Sequence, residues 1–162
     1  MRGRSLDGWD TSDRRDPGGA VASTQRLLAG RALVDASDEG ARRLCQGYWL
    51  AVRRASGGLV RPQERDGRID VLLLGLPPAL LRLEQSAVTA GWVGCSFRIA
   101  GGLLARRAGG TLAVFQGEAG ELHVVVDGFV PRLGLVWRVL QRRFHVAISR
   151  RYFRRLLAEA DA

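Results

Sequence analysis

The segment from Leu133 to Ala162 constrains this chain most. On a wheel of about 100° per residue, Trp137, Leu140, Phe144, Ile148, Tyr152 and Leu156 follow one another at steps of three or four. They form one apolar stripe, the signature of a helix laid on the body of a domain. A second row, Val139, Val146 and Phe153, recurs every seventh position on nearly the opposite side, with Leu157 close by. Arg138, Arg142, Arg143, Arg150 and Arg154 lie between the rows. Helix packing on one side needs only one stripe, so the second row predicts a second neighbour. That neighbour is another part of this chain, a second copy, or a membrane or nucleic-acid surface. Pro131 and Gly134 interrupt what precedes the helix. Arg150, Arg151, Arg154 and Arg155 sit toward its C-terminal end, where the helix dipole favours cations.

A second helix is expected from Ser37 to Ala55. Ser37 can cap it, Asp38 and Glu39 fill its first turn, and Gly57-Gly58 ends it. Leu44, Tyr48, Val52 and Ala55 make its apolar stripe, with Cys45 and Trp49 beside it. Between the helices, from Leu59 to Val130, short apolar runs alternate with Gly and Pro turns. Strands are expected near 59–62, 68–74, 79–84, 88–100, 103–107, 111–117 and 121–130. In the fourth, Val93, Cys95, Phe97 and Ile99 point one way, and Trp92, Gly94, Ser96 and Arg98 the other. Links this short favour antiparallel pairing. The predicted fold is therefore α+β: a curved antiparallel sheet packed against a long C-terminal helix, with a shorter N-terminal helix. Residues 1–22 are charged and Gly-rich with little to bury, and read as a disordered tail. A short helix is expected at 24–34, and residues 23–162 read as one domain.

The 25 basic residues are all arginine, and the net charge is +9. An arginine-only basic set in a chain rich in Ala, Gly and Leu points to GC-rich coding, so part of the charge reflects composition. An anionic partner, nucleic acid or an acidic membrane surface, remains open through the rest. Cys45 and Cys95 form no CxxC pair and are expected to be two buried thiols in a reducing cytoplasm. No apolar targeting core stands near the start, and the apolar run Val71–Leu81 is too short to span a bilayer.

No phosphate-cradle, nucleophile-elbow or zinc-helix motif is present, and catalytic and metal-binding residues are set at none. No cofactor is implied, and an enzyme is the less favoured class. His123 and Asp127 share a strand face and could form an acid/base pair, but a strand or helix histidine, His145 included, more often just packs. Six large apolar residues on the elements expected to face each other, Trp92, Phe97, Phe115, Trp137, Leu140 and Phe144, are candidates to line an apolar ligand cleft. Val139, Val146, Phe153, Arg142 and Arg150 are candidates for an interaction or homodimer seam.

The stretch from Tyr48 onward resembles uncharacterised conserved proteins of GC-rich actinobacteria. The resemblance rests on Gly57-Gly58-Leu59-Val60-Arg61-Pro62, the run from Arg98 to Arg106, Gly109-Gly110-Thr111-Leu112 and the run from Val146 to Phe153. It implies no activity and transfers no site residues. In layout, an antiparallel sheet gripping a C-terminal helix is similar to helix-grip proteins of the START and polyketide-cyclase type, which hold apolar ligands between sheet and helix. The sequence departs from that layout in lacking a clear first strand before its helical part. The function expected is non-catalytic binding of a hydrophobic small molecule in the cytoplasm. The alternatives are an interaction or homodimerisation module, and binding of an anionic partner.

Overall fold

A computed structural model describes residues 8–162; of residues 135–142 it describes the backbone alone. Eight strands and two helices follow in the order β1 (Trp9–Arg15), β2 (Val21–Leu28), α1 (Asp38–Ala55), β3 (Val60–Arg65), β4 (Arg68–Leu73), β5 (Leu76–Ser86), β6 (Val93–Gly101), β7 (Thr111–Gln116), β8 (Glu121–Phe129) and α2 (Gly134–Asp161). All strands belong to one antiparallel sheet of order β1-β2-β8-β7-β6-β5-β4-β3. The α+β class and the antiparallel sheet against a C-terminal helix are as the sequence predicts. Residues 103–107 form no strand and contribute only the isolated bridge of Ala105 to Pro131.

The period-two rule fixes which face of the sheet is covered. Cys95, Phe97 and Ile99 of β6, Leu112 and Val114 of β7, and Leu122, Val124 and Val126 of β8 are buried on one side. Leu27 of β2 and Ile69, Val71 and Leu83 of β4 and β5 continue that layer. Helix α1 packs over β6, β3 and β7. Its Ser37 hydroxyl accepts from the Gly40 amide at 3.1 Å, and its acidic first turn and basic last turn match the dipole.

The N-terminal region differs from expectation. Strand β1 lies inside the stretch read as a tail, and β2 replaces the helix expected at 24–34. Backbone pairing of β1 to β2 and of β2 to β8 holds them; β2 buries Leu27 against Leu122, while β1 is exposed apart from half-buried Trp9. The link from β2 to α1 is pinned by the buried Gln116 side chain. Its Oε1 accepts from the Leu33 and Val34 amides at 2.6 and 3.0 Å, and its Nε2 donates to the Val34 carbonyl at 2.9 Å.

The β1–β2 ribbon also accounts for Phe153 in the second apolar row of α2. Phe153 is fully buried and meets Trp9 of β1 edge-on, ring centres 5.9 Å apart. Ile148, Tyr152 and Leu156 bury toward the core on the other side. The Tyr152 hydroxyl donates to the Leu44 carbonyl at 2.6 Å, tying α2 to α1. This contact leaves no space at Gly47, where a Cβ would lie 2.6 Å from the Tyr152 oxygen.

The two cysteines are not free thiols. Cys45 of α1 and Cys95 of β6 form a disulfide, Cα atoms 6.1 Å apart, that staples helix to sheet. Among the described residues, no helix is long and apolar enough to cross a membrane.

Candidate functional site

Between the covered sheet face and the two helices lies a cavity of about 440 Å³, within the range of small-molecule sites. Its floor comes from inward positions of the sheet, among them Val71, Leu83, Ile99, Leu112 and Val126. Helix α1 adds Tyr48, Trp49 and Val52, and α2 adds Phe144, His145 and Ile148. Leu133 and Phe144 line it while remaining exposed, so they stand at its mouth. The remaining space follows from the pattern: branched residues on a period-two floor, opposite helix positions spaced by three and four.

No charged side chain of the described residues lines this cavity; its polar groups are the Tyr48 hydroxyl, the His145 imidazole and the Trp49 indole. Tyr48 Oη and His145 Nδ1 are 3.3 Å apart, a long contact within hydrogen-bonding reach. Burial pushes the His145 imidazole down to about 4, with the Asp13 carboxylate opposing in part. Burial likewise holds the Tyr48 hydroxyl protonated, well above its ordinary range. At neutral pH both groups are uncharged. Either Tyr48 donates to Nδ1 or Nδ1–H donates to the Tyr48 oxygen, according to the ring tautomer. His145 Nε2 and the Trp49 indole nitrogen are buried and have no hydrogen-bond partner among the described residues.

The candidates read from the sequence divide. Phe144 lines the cavity. Phe97 faces the same side but packs edge-on against Trp49, ring centres 5.9 Å apart, and borders a separate polar cleft beyond α1. Trp92 and Phe115 lie on the opposite sheet face and do not reach the cavity. Trp92 stacks on Phe115 at 3.9 Å, and Phe115 in turn stacks on His123 at 4.7 Å. The reason is parity: Trp92 is five positions from Phe97, and an odd separation on a strand puts two side chains on opposite faces. The side chains of Trp137 and Leu140 lie outside the described residues, as do those of Val139 and Arg142.

Of the seam candidates, Phe153 is interior and unavailable to a second copy. Val146 and Arg150 instead border a groove between α2 and β1, with Thr11, Arg143, Arg151 and Arg154. His123 is lowered by its own burial and lies 4.0 Å from Glu121, away from the cavity. Among the described residues, no group of three or more His, Cys, Asp or Glu side chains could hold a metal ion. Reasoning from the sequence missed the pairing of Tyr48 with His145, although the Tyr48 stripe and the position of His145 beside Phe144 were both visible.

No protein-family model matches the chain, and no curated protein matches it.

Proposed function

We propose that this chain binds an uncharged, apolar small molecule in the cavity between sheet and helices, without catalysing its conversion. The observation that carries this reading is a cavity walled by apolar side chains from the sheet and both helices, with no charged group among its described lining residues. Burying a charged ligand there would cost several kcal/mol with no counter-ion to offset it. Against catalysis stands the state of the polar pair. An imidazole brought down to about 4 stays neutral at pH 7 and is a weak base, and the buried Tyr48 hydroxyl does not release its proton.

The layout supports the likeness to helix-grip proteins, because β2 beside β8 supplies the strand that the sequence reading lacked. The likeness concerns fold and carries no ligand identity. The Cys45–Cys95 bond favours an oxidising compartment over the expected cytoplasm. Alkylation of protein lysed in the presence of a thiol trap distinguishes them.

The test of the binding reading is a fluorescence titration with an uncharged acyl-naphthalene dye. Blue-shifted, saturable binding at about micromolar affinity is expected, lost in Val126→Phe or Leu112→Phe, which fill the floor. Absence of binding to a folded wild-type protein, or undiminished binding to both folded variants, contradicts it.

A second reading has its own support. Four arginines, Arg143, Arg150, Arg151 and Arg154, border the groove between α2 and β1, which suits an anionic partner. Binding to heparin that weakens steeply with salt and is lost in Arg143→Ser/Arg151→Ser supports it. Salt-independent binding or none counts against it.

A further inference from the structure

We infer that the end of the molecule around the β4–β5 turn is a docking surface for an acidic lipid bilayer. Tight turns are ordinarily built from polar residues and glycine. This one reads Leu73-Leu74-Gly75-Leu76, and its three leucines are 49%, 48% and 63% exposed. Leu59, 53% exposed, lies against it, its carbonyl accepting from the Leu74 amide at 2.7 Å. The patch continues through the backbone. The Leu103 amide donates to the Ala79 carbonyl at 3.0 Å, and the Arg132 amide donates to the Leu104 carbonyl at 2.9 Å. These contacts bring exposed Leu103 and Leu133 to the same end. Leucines exposed singly are ordinary, but six gathered at one end of a domain mark an interaction site.

The surrounding charge selects the partner. The chain around the patch, residues 51–63, 71–82 and 99–112, contains no Asp or Glu, and Asp127 of β8, paired with Thr111, is one acidic residue that the sheet brings to this end. The three segments carry exposed arginines instead, Arg53, Arg54 and Arg61 on one side of the leucines and Arg106 and Arg107 on the other. Apolar side chains ringed by cations match the boundary of a bilayer with anionic headgroups. The leucines enter the acyl layer and the arginines stay at the phosphates, each near-surface cation adding attraction. A second copy would bring the same arginines face to face. Leu80, Leu81, Leu104 and Leu133 belong both to these segments or their neighbours and to the cavity wall. Docking at this end therefore sets the cavity mouth toward the lipid.

Close approach is built into the surface. The loop after β6 crosses the start of β5 at Gly102, where a Cβ would lie 2.4 Å from the Leu80 carbonyl oxygen, at a φ of 122° that favours glycine.

The experiment is flotation of the full chain with vesicles of phosphatidylcholine alone and of phosphatidylcholine mixed with phosphatidylglycerol, at low and high salt. The wild type is expected to float with the mixed vesicles, and less so in high salt. Leu74→Ser/Leu76→Ser removes two exposed side chains. It should weaken binding by about tenfold per leucine, leaving dye binding in the cavity unchanged. Arg151→Ser/Arg154→Ser, two to three turns further along α2 from Phe144 in the groove against β1, should float as the wild type does. No flotation of the wild type overturns the inference, as does flotation insensitive to the leucine variant or abolished by the groove variant. A concentration-dependent dimer that the leucine variant dissolves, with no vesicle binding, also overturns it and assigns the patch to a second copy.

Discussion

Acidification should destabilise this protein through His145. The imidazole lies buried against Tyr48, and its folded value of about 4 sits below the ordinary 6.5 because burial disfavours the cation. A group depressed on folding binds fewer protons in the folded state, so the unfolded chain takes up a proton first as pH falls. Stability from this group is therefore complete above about pH 6.5, declines between 6.5 and 4, and changes no further below 4. The gap between those values, at about 1.4 kcal/mol per pH unit, amounts to about 3 kcal/mol. That is a large part of the 5–15 kcal/mol, roughly, that holds a domain together. Carboxylates titrate in the same range, so the quantity to measure is a difference. Urea unfolding of wild type and His145→Gln at several pH values between 7 and 4 isolates it, since glutamine does not ionise. The wild type should lose about 3 kcal/mol more than the variant over that interval. Parallel pH profiles, or an imidazole found by NMR to titrate near 6.5, would refute the reasoning.

Three further outcomes follow from the packing. Reducing the Cys45–Cys95 bond reopens a loop with a sequence separation of 50 and should lower stability by about 4 kcal/mol on the loop-closure account; urea unfolding with and without reductant measures it, and no change would argue against the bond. Gly47→Ala should destabilise by about 1–3 kcal/mol despite alanine's better helix propensity. Its Cβ displaces the Tyr152 hydroxyl from Leu44, and a stabilised variant in thermal melts would contradict the α1–α2 contact. Phe153→Ala should cost about 3–5 kcal/mol without changing the molar mass seen by light scattering; a loss of dimer in its place would restore the seam.

The parts of the fold legible in the sequence are those where burial writes a period. Strands β6, β7 and β8 alternate because one face is covered and the other is not. Helix α1 carries its cap, its charged ends and its stripe within its own residues. Strand β1 carries no such mark. In Trp-Asp-Thr-Ser-Asp-Arg-Arg only Trp9 is partly buried, because an edge strand is held by backbone hydrogen bonds that any sequence can make. Without β1 in view Phe153 had no identified neighbour, so the second row of α2 left open another part of the chain, a second copy, or a membrane or nucleic-acid surface. The disulfide was hidden for a similar reason. Fifty positions separate Cys45 from Cys95, and only α1 lying across β6 brings them together.

The cavity was legible in place but not in membership. Sheet facing helix was anticipated, and of the six aromatic and aliphatic candidates Phe144 lines the cavity. Large aromatics were favoured as lining residues, whereas the floor, Phe129 apart, is made of Val, Leu and Ile that no pattern separates from a solid core. Strand parity alone would have removed Trp92 as a companion of Phe97. The leucines of the β4–β5 turn read in the sequence as a strand running into a turn. Only their exposure in the folded chain distinguishes them.

The most direct test is a crystal structure grown with the acyl-naphthalene dye. Density for one dye molecule between Ile99 and Ile148, with the Tyr48–His145 pair beside it, is the result this account predicts. Side chains filling that space, with the dye absent or held only on the surface, would contradict it.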